Sequence, residues 1–266
     1  MKTVLIHGAP RSGTSWLGQI FNSNPKVAFR FQPLFSYKLK NFLSASSTKE
    51  DVHEFLSVLE NIDDDFILQK DQQARGAHPT FDKDCIELMA IKHVRYHFLV
   101  EKFLKSKDDL KVIAIVRNPC GSINSWLKTS REFNSNWNAK TEWRSALSKN
   151  MGKPEEYYGF DKWLESSRYF IDLESKYQDR FIIVQYESLV SNTLHEVKRL
   201  FSFCDLKLDQ QTLEFIKKSH SKEIDDPDTV FRKSDVSKRW IKELDTDIIS
   251  EILETVRGTE LERFLC

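Results

Sequence analysis

Residues 8–15 read Gly-Ala-Pro-Arg-Ser-Gly-Thr-Ser, two glycines at G-x-x-x-x-G spacing followed by two hydroxyl residues. Placed between a strand and a helix, such a loop turns successive backbone N–H groups toward one point and cradles a phosphate-like anion at the helix N-terminus. The spacing is that of triphosphate-binding loops, but Thr14 stands where those loops carry the lysine that reaches the outer phosphates. A magnesium-holding aspartate at the end of a second apolar strand is also missing, because the two strongest apolar runs lead into Arg117 and into Gln185-Tyr186. The chemistry indicated is metal-independent anion binding, with the loop's cation moved inside it to Arg11. A guanidinium there would touch both a terminal phosphate and a bridging oxygen and neutralise the charge that builds as a bond breaks.

A second anion site follows the run Val112–Val116. Arg117-Asn118-Pro119 closes that run, and Ser125 lies on the helix that the proline opens. An arginine at a strand's carboxyl end and a hydroxyl one helix turn or two away pinch a phosphate between them. Two such sites on neighbouring strands suit a ligand phosphorylated at both ends of its ribose.

The run Pro10-Arg11-Ser12-Gly13-Thr14-Ser15-Trp16-Leu17 closely resembles the 5′-phosphosulfate motif of sulfotransferases that use PAPS (3′-phosphoadenosine 5′-phosphosulfate) as sulfuryl donor. The segment from Arg117 to Ser125 resembles the 3′-phosphate motif of the same family, with Gly121 where many members carry Asp. The resemblance implies a PAPS-dependent enzyme in which Pro10, Arg11, Ser12, Gly13, Thr14, Ser15, Trp16, Arg117 and Ser125 hold the donor. It also implies a role beside the adenine for Tyr186, in the segment Val184–Leu189, and a closing loop over the 3′-phosphate carried by Arg232 and Lys233. In that loop Ser234 and Ser237 replace glycines.

On the acceptor side, Lys92 resembles the family lysine that touches the bridging oxygen or the sulfonate, so Arg11 and Lys92 are the catalytic cations. The proton acceptor departs from the pattern. Where cytosolic members place a histidine two positions after the lysine, this chain has Val94, and where others place a glutamate after the first helix, it has Gln32. His93 is the first choice of base, with His78, His97 or solvent as alternatives, although on a strand His93 faces away from Lys92. Acceptor recognition is expected from Phe29–Tyr37, Arg75–Pro79 and Trp137–Trp143, whose aromatics and polar groups suit a small molecule or a glycan. Two other classes stay open: a P-loop kinase or triphosphatase, and a nucleotide-binding pseudo-enzyme.

To position these groups the loop needs a strand before it and a helix after it. Lys2–Ile6 reads as a buried strand and Thr14–Phe21 as a helix closed by Asn22-Ser23-Asn24-Pro25. Leu110–Val116 and Phe181–Val184 lack polar alternation, as strands buried on both faces do, and Cys85–Val94 holds a further strand. Helical patterns alternate with them at residues 50–59, 96–104, 121–128, 157–177, 194–203 and 211–218. The expected fold is therefore α/β and P-loop-like: a central parallel β-sheet flanked by helices in three layers, a single domain over 1–266 with a helical C-terminal part. Lys plus Arg and Asp plus Glu both total 40, so no global field recruits nucleic acid or an anionic membrane. No apolar run reaches membrane-spanning or leader length. Four scattered cysteines, Cys85, Cys120, Cys204 and Cys266, match reduced thiols of a cytoplasmic protein.

Overall fold

A computed structural model of the chain describes residues 1–222, 224, 229–231 and 237–265. Its core is a sheet of five parallel strands: β1 (Lys2–His7), β2 (Val27–Phe31), β3 (Leu88–His93), β4 (Lys111–Val116) and β5 (Phe181–Gln185), in the order β2-β3-β1-β4-β5. β1, which feeds the glycine loop, is thus central, and β4, which feeds Arg117, is beside it. The register sets Ile6 opposite Lys92, Lys92 opposite Phe31, and Val116 opposite Gln185, so the strand ends that carry the chemistry share one edge. In open α/β sheets that carboxyl edge is where ligands bind.

Alternation along each strand supplies two buried faces. Leu5, Met89, Ile91, Val112 and Ala114 pack under α2 (Lys49–Glu60), α3 (Val100–Ser106), α5 (Phe160–Lys176) and α8 (Thr246–Val256). Val4, Ile6, Ala90, Ile113 and Ile115 pack under α1 (Thr14–Asn22), α6 (Thr193–Phe203) and α7 (Gln210–Ser221). The parallel sheet with helices on both faces is the architecture read from the sequence, with one strand added. β2 runs through the segment expected only to recognise the acceptor, and its Phe29, against which Gly18 of α1 packs, is buried. The remaining long helix on the functional edge is α4 (Pro119–Leu127), started by the Asn118 side chain accepting from the Cys120 N–H, with proline at its first turn. No helix among the described residues is long and apolar enough to cross a membrane.

Candidate active site

The glycine loop closes on itself before α1 begins, with Ser12 N–H donating to Ala9 O at 3.2 Å, and Leu17 N–H opens the helix by donating to Gly13 O at 3.1 Å. Two left-handed residues make the turn, Arg11 at φ 69° and Gly13 at φ 91°. Gly13 is obligatory twice over, since a Cβ there would lie 2.5 Å from the Tyr186 ring in addition to the unfavourable φ. Gly8 has the same constraint from the other side, because its Cβ would stand 2.6 Å from the Ile115 carbonyl oxygen. These bare positions leave the concavity an anion needs.

The side chains around the loop form one cluster. Arg11 Nε donates to Ser125 Oγ at 3.2 Å, and Arg117 Nη1 donates to the Arg11 carbonyl at 3.1 Å. The Arg117 guanidinium lies over the Tyr186 ring at 4.6 Å and against Gly121, where a Cβ would meet its Nε at 2.9 Å. Glycine in place of the family's Asp thus leaves room for the guanidinium itself. Trp16 Nε1 donates to Ser219 Oγ at 3.1 Å while His220 meets the indole edge-on, its Nε2 3.1 Å from Thr193 Oγ1. Tyr186 and Trp16 accordingly bound one end of a cleft of about 770 Å³ along the sheet edge. Pro10, Arg11, Gly13, Thr14, Ser15, Trp16, Lys92, Arg117, Ser125 and Tyr186 all line it. Ser12 does not, and its hydroxyl is buried in the protein. Arg232 and Lys233 lie outside the described residues.

Lys92 is 3 % exposed, and its ammonium sits 4.5 Å from the centre of the Phe31 ring. Burial, with repulsion from Arg95 and Arg11 added and the Glu132 carboxylate opposing, draws its pKa down to about 7. Gln32, at the end of β2, adopts a left-handed φ of 42°, donates its N–H to Lys92 O at 2.8 Å and accepts at its side-chain oxygen from Arg95 at 3.2 Å. Arg95 is in turn paired with Glu156 at 2.9 Å and stacked 4.0 Å over Phe35. On α1, Gln19 joins Gln69 at 2.7 Å and the Nδ1 of His78 at 3.3 Å, and Gln32, Gln69, Gln72 and His78 line the far part of the cleft.

The histidines correct the sequence reading. His93 and His97 do not line the cleft; they are buried behind the loop with His7, whose Nδ1 is 3.0 Å from His97 Nδ1 and whose ring is 5.4 Å from His93. The cause is the strand alternation: with Lys92 turned toward the cleft, His93 is turned to the other face. Burial first, and then the neighbouring positive charges, hold all three far below the ordinary histidine range, His7 at about 3, so they stay neutral. His78 is the one histidine of the three proposed bases that reaches the cleft. The tryptophan stretch is likewise structural: Trp143 stacks on Phe160 in the core and Trp137 packs on Phe133, and neither lines the cleft. Sequence reading missed Arg95 and Glu132, which line the cleft from loops without any motif spacing.

A glycine loop between a strand and a helix, with Arg11 inside it bonded to Ser125 of α4 and held by Arg117 from the end of the adjoining strand, lines one cleft at the carboxyl edge of an α/β sheet, where such folds bind their ligands. The sulfotransferase-domain family model matches residues 1–261, and the chain belongs to that family. It is 24% identical over 274 residues to carbohydrate sulfotransferase 1 of Danio rerio, covering 80% of this chain and 64% of the relative, so the match spans under two thirds of that protein's length. Among solved structures, mouse sulfotransferase SULT7A1 complexed with PAP aligns at a TM-score of 0.63 and 16% identity, over 99% of this chain and 87% of that one. Retinol dehydratase in a complex with retinol and PAP aligns at 0.53 and 14%, over 97% and 82%.

Proposed function

We propose that the protein, acting as one domain over its length, transfers the sulfuryl group of PAPS to a hydroxyl of a polyhydroxylated acceptor such as a glycan. The observation that carries this reading is the linkage Arg117–Arg11–Ser125, which joins the glycine loop to the end of β4 and to α4 within one cleft. In it the loop from Pro10 to Trp16 would bind the 5′-phosphosulfate, and Arg117 with Ser125 the 3′-phosphate. Trp16 and Tyr186 would flank the adenine. Arg11 and Lys92 would stand at the oxygen that carries the leaving charge, which is where cations accelerate transfer most. Amides at Gln32, Gln69 and Gln72 with His78 supply the hydrogen-bonding wall that suits sugar hydroxyls. Membership of the sulfotransferase family and the fold shared with PAP-bound proteins support the donor; the Danio rerio relative supports the acceptor class.

A kinase or triphosphatase is disfavoured by Thr14 in the lysine position and by strand ends that offer Arg117 and Gln185 instead of a metal-binding carboxylate. Cys85, Cys120 and Cys204 are unpaired, which suits a reducing compartment and a cytoplasmic setting. The test is calorimetric titration with adenosine 3′,5′-bisphosphate (PAP) in EDTA, alongside magnesium-ATP. Binding of PAP alone, weakened by Arg117→Ala, is the expected result; magnesium-dependent binding and turnover of ATP would overturn the reading.

A further inference from the structure

With Gln32 and Val94 at the two strand ends where a base would stand beside Lys92, and His93 behind the sheet, the described part of the cleft wall holds two carboxylates, Glu132 and Glu243. Glu243 accepts from Asn124 Nδ2 at 2.8 Å on α4. Glu132 stands among the reactive cations. Its Oε2 is 3.6 Å from Arg11 Nη1, and its charge acts on Lys92, Arg95 and the Tyr158 hydroxyl. That same Oε2 is buried and accepts no hydrogen bond from the described residues. A buried carboxylate oxygen with a lone pair unused, placed next to the phosphate-binding arginine, is poised to accept a proton from whatever lies over Lys92.

We infer that Glu132 is the general base of the transfer. The inference rests on the sulfuryl-transfer reading above. In the step, a lone pair of the acceptor oxygen forms a bond to sulfur as the bond from sulfur to the bridging oxygen breaks. That electron pair leaves on the 5′-phosphate of PAP, facing Arg11 and Lys92. The acceptor proton passes to Glu132 Oε2.

Glu132→Gln keeps the shape and removes the basicity. Two probe acceptors separate the roles: N-acetyllactosamine, whose hydroxyls need a base, and p-nitrophenol, already ionised in mildly alkaline buffer. With PAPS as donor, transfer by Glu132→Gln to the sugar is expected to fall by about 10²–10⁴-fold and transfer to the phenolate by less than about tenfold. PAP binding, which also reports correct folding, should be unchanged or tighter because a competing anion has left Arg11. Sugar transfer retained within tenfold, or equal losses on both acceptors, overturns the inference. So does a sugar-selective loss in His78→Asn that Glu132→Gln lacks, which would hand the role to His78. Wild-type protein that fails to bind PAP sinks the donor reading instead; wild type that binds PAP but sulfates neither probe sinks the hydroxyl-acceptor reading, and the inference falls with it.

Discussion

At the scale of single residues, the two cations that the proposal places at the leaving oxygen have different means of control. Arg11 is tested by removing it: Arg11→Ala is expected to lower kcat by about 10²–10³-fold, the range for deleting one preorganised donor to a developing oxyanion. Lys92 is adjustable. Buried and near Arg95, it is drawn down to about 7, so above that pH the isolated protein holds it neutral while the donor's anion favours it charged. Donor-product binding near pH 8 should therefore take up protons, measurable as a buffer-dependent heat of PAP binding that Lys92→Met removes. The same shift has a sign for stability. The unfolded chain protonates Lys92 up to about 10.5, so between about 7 and 10.5 it binds the additional proton. Stability from this group rises with pH across that window, and is smallest below 7 where both states are charged. Arg11 and Lys92 were legible from sequence because motif and strand end coincide. Glu132 was not, since it sits on the loop after α4, and only the fold brings it to 3.6 Å from Arg11.

At the scale of elements, the strand–loop–helix unit from β1 to α1 depends on backbone geometry that no side chain replaces. Gly13→Ala would force a left-handed residue and drive a methyl into Tyr186, whose ring is also the platform under Arg117. The expected cost is about 1–3 kcal/mol of stability, read by urea denaturation. Weakened PAP binding should accompany it, because the ring that must give way lines the cleft and flanks the adenine in the proposed complex. Gly152→Ala is the control: it shares a positive φ of 68° but has open space around its Cβ, so it should lose stability without losing PAP affinity. Strands β1, β4 and β5 were readable as uninterrupted apolar runs because the sheet is covered on both faces. β2 was hidden: in Val27-Ala28-Phe29-Arg30-Phe31 the buried Arg30 breaks the run, its guanidinium satisfied by the carbonyls of Leu59 and Glu60 at the end of α2, a tertiary arrangement with no local signature. One step along a strand reverses the face, as the sequence already implied for His93 and Lys92, and the structure turns Lys92 into the cleft and His93 away from it.

At the scale of the whole molecule, equal totals of acidic and basic residues conceal a strong local asymmetry. Arg11, Lys92, Arg95, Arg117, Lys128 and Arg239 converge on the cleft, while Glu132 and Glu243 are the carboxylates among its described lining. The donor would thus bind through a short-range field inside a low-dielectric wall, more than through long-range attraction. The wall is also assembled from distant parts of the chain: the loop at residues 10–16, the β4–α4 junction, Tyr186 after β5, Ser219 and His220 on α7, and Thr229 and Val230 beyond it. A ligand that touches all of these ties both ends of the sheet edge together and binds only the folded protein. Mass action then sets the stabilisation, about 2.7 kcal/mol when PAP is present at a hundred times its Kd. For a chain of this size each kcal/mol moves Tm by about 2–4 °C, so a rise of about 5–10 °C is expected in the presence of EDTA. Arg117→Ala at the same PAP concentration should lose most of the rise, because its Kd moves toward the ligand concentration, whereas a structural role alone would lower the unliganded Tm and leave the increment intact. An increment that survives in Arg117→Ala would show that the second phosphate site lies elsewhere in the cleft. An increment that appears only with magnesium would return the loop at Gly8–Ser15 to triphosphate chemistry.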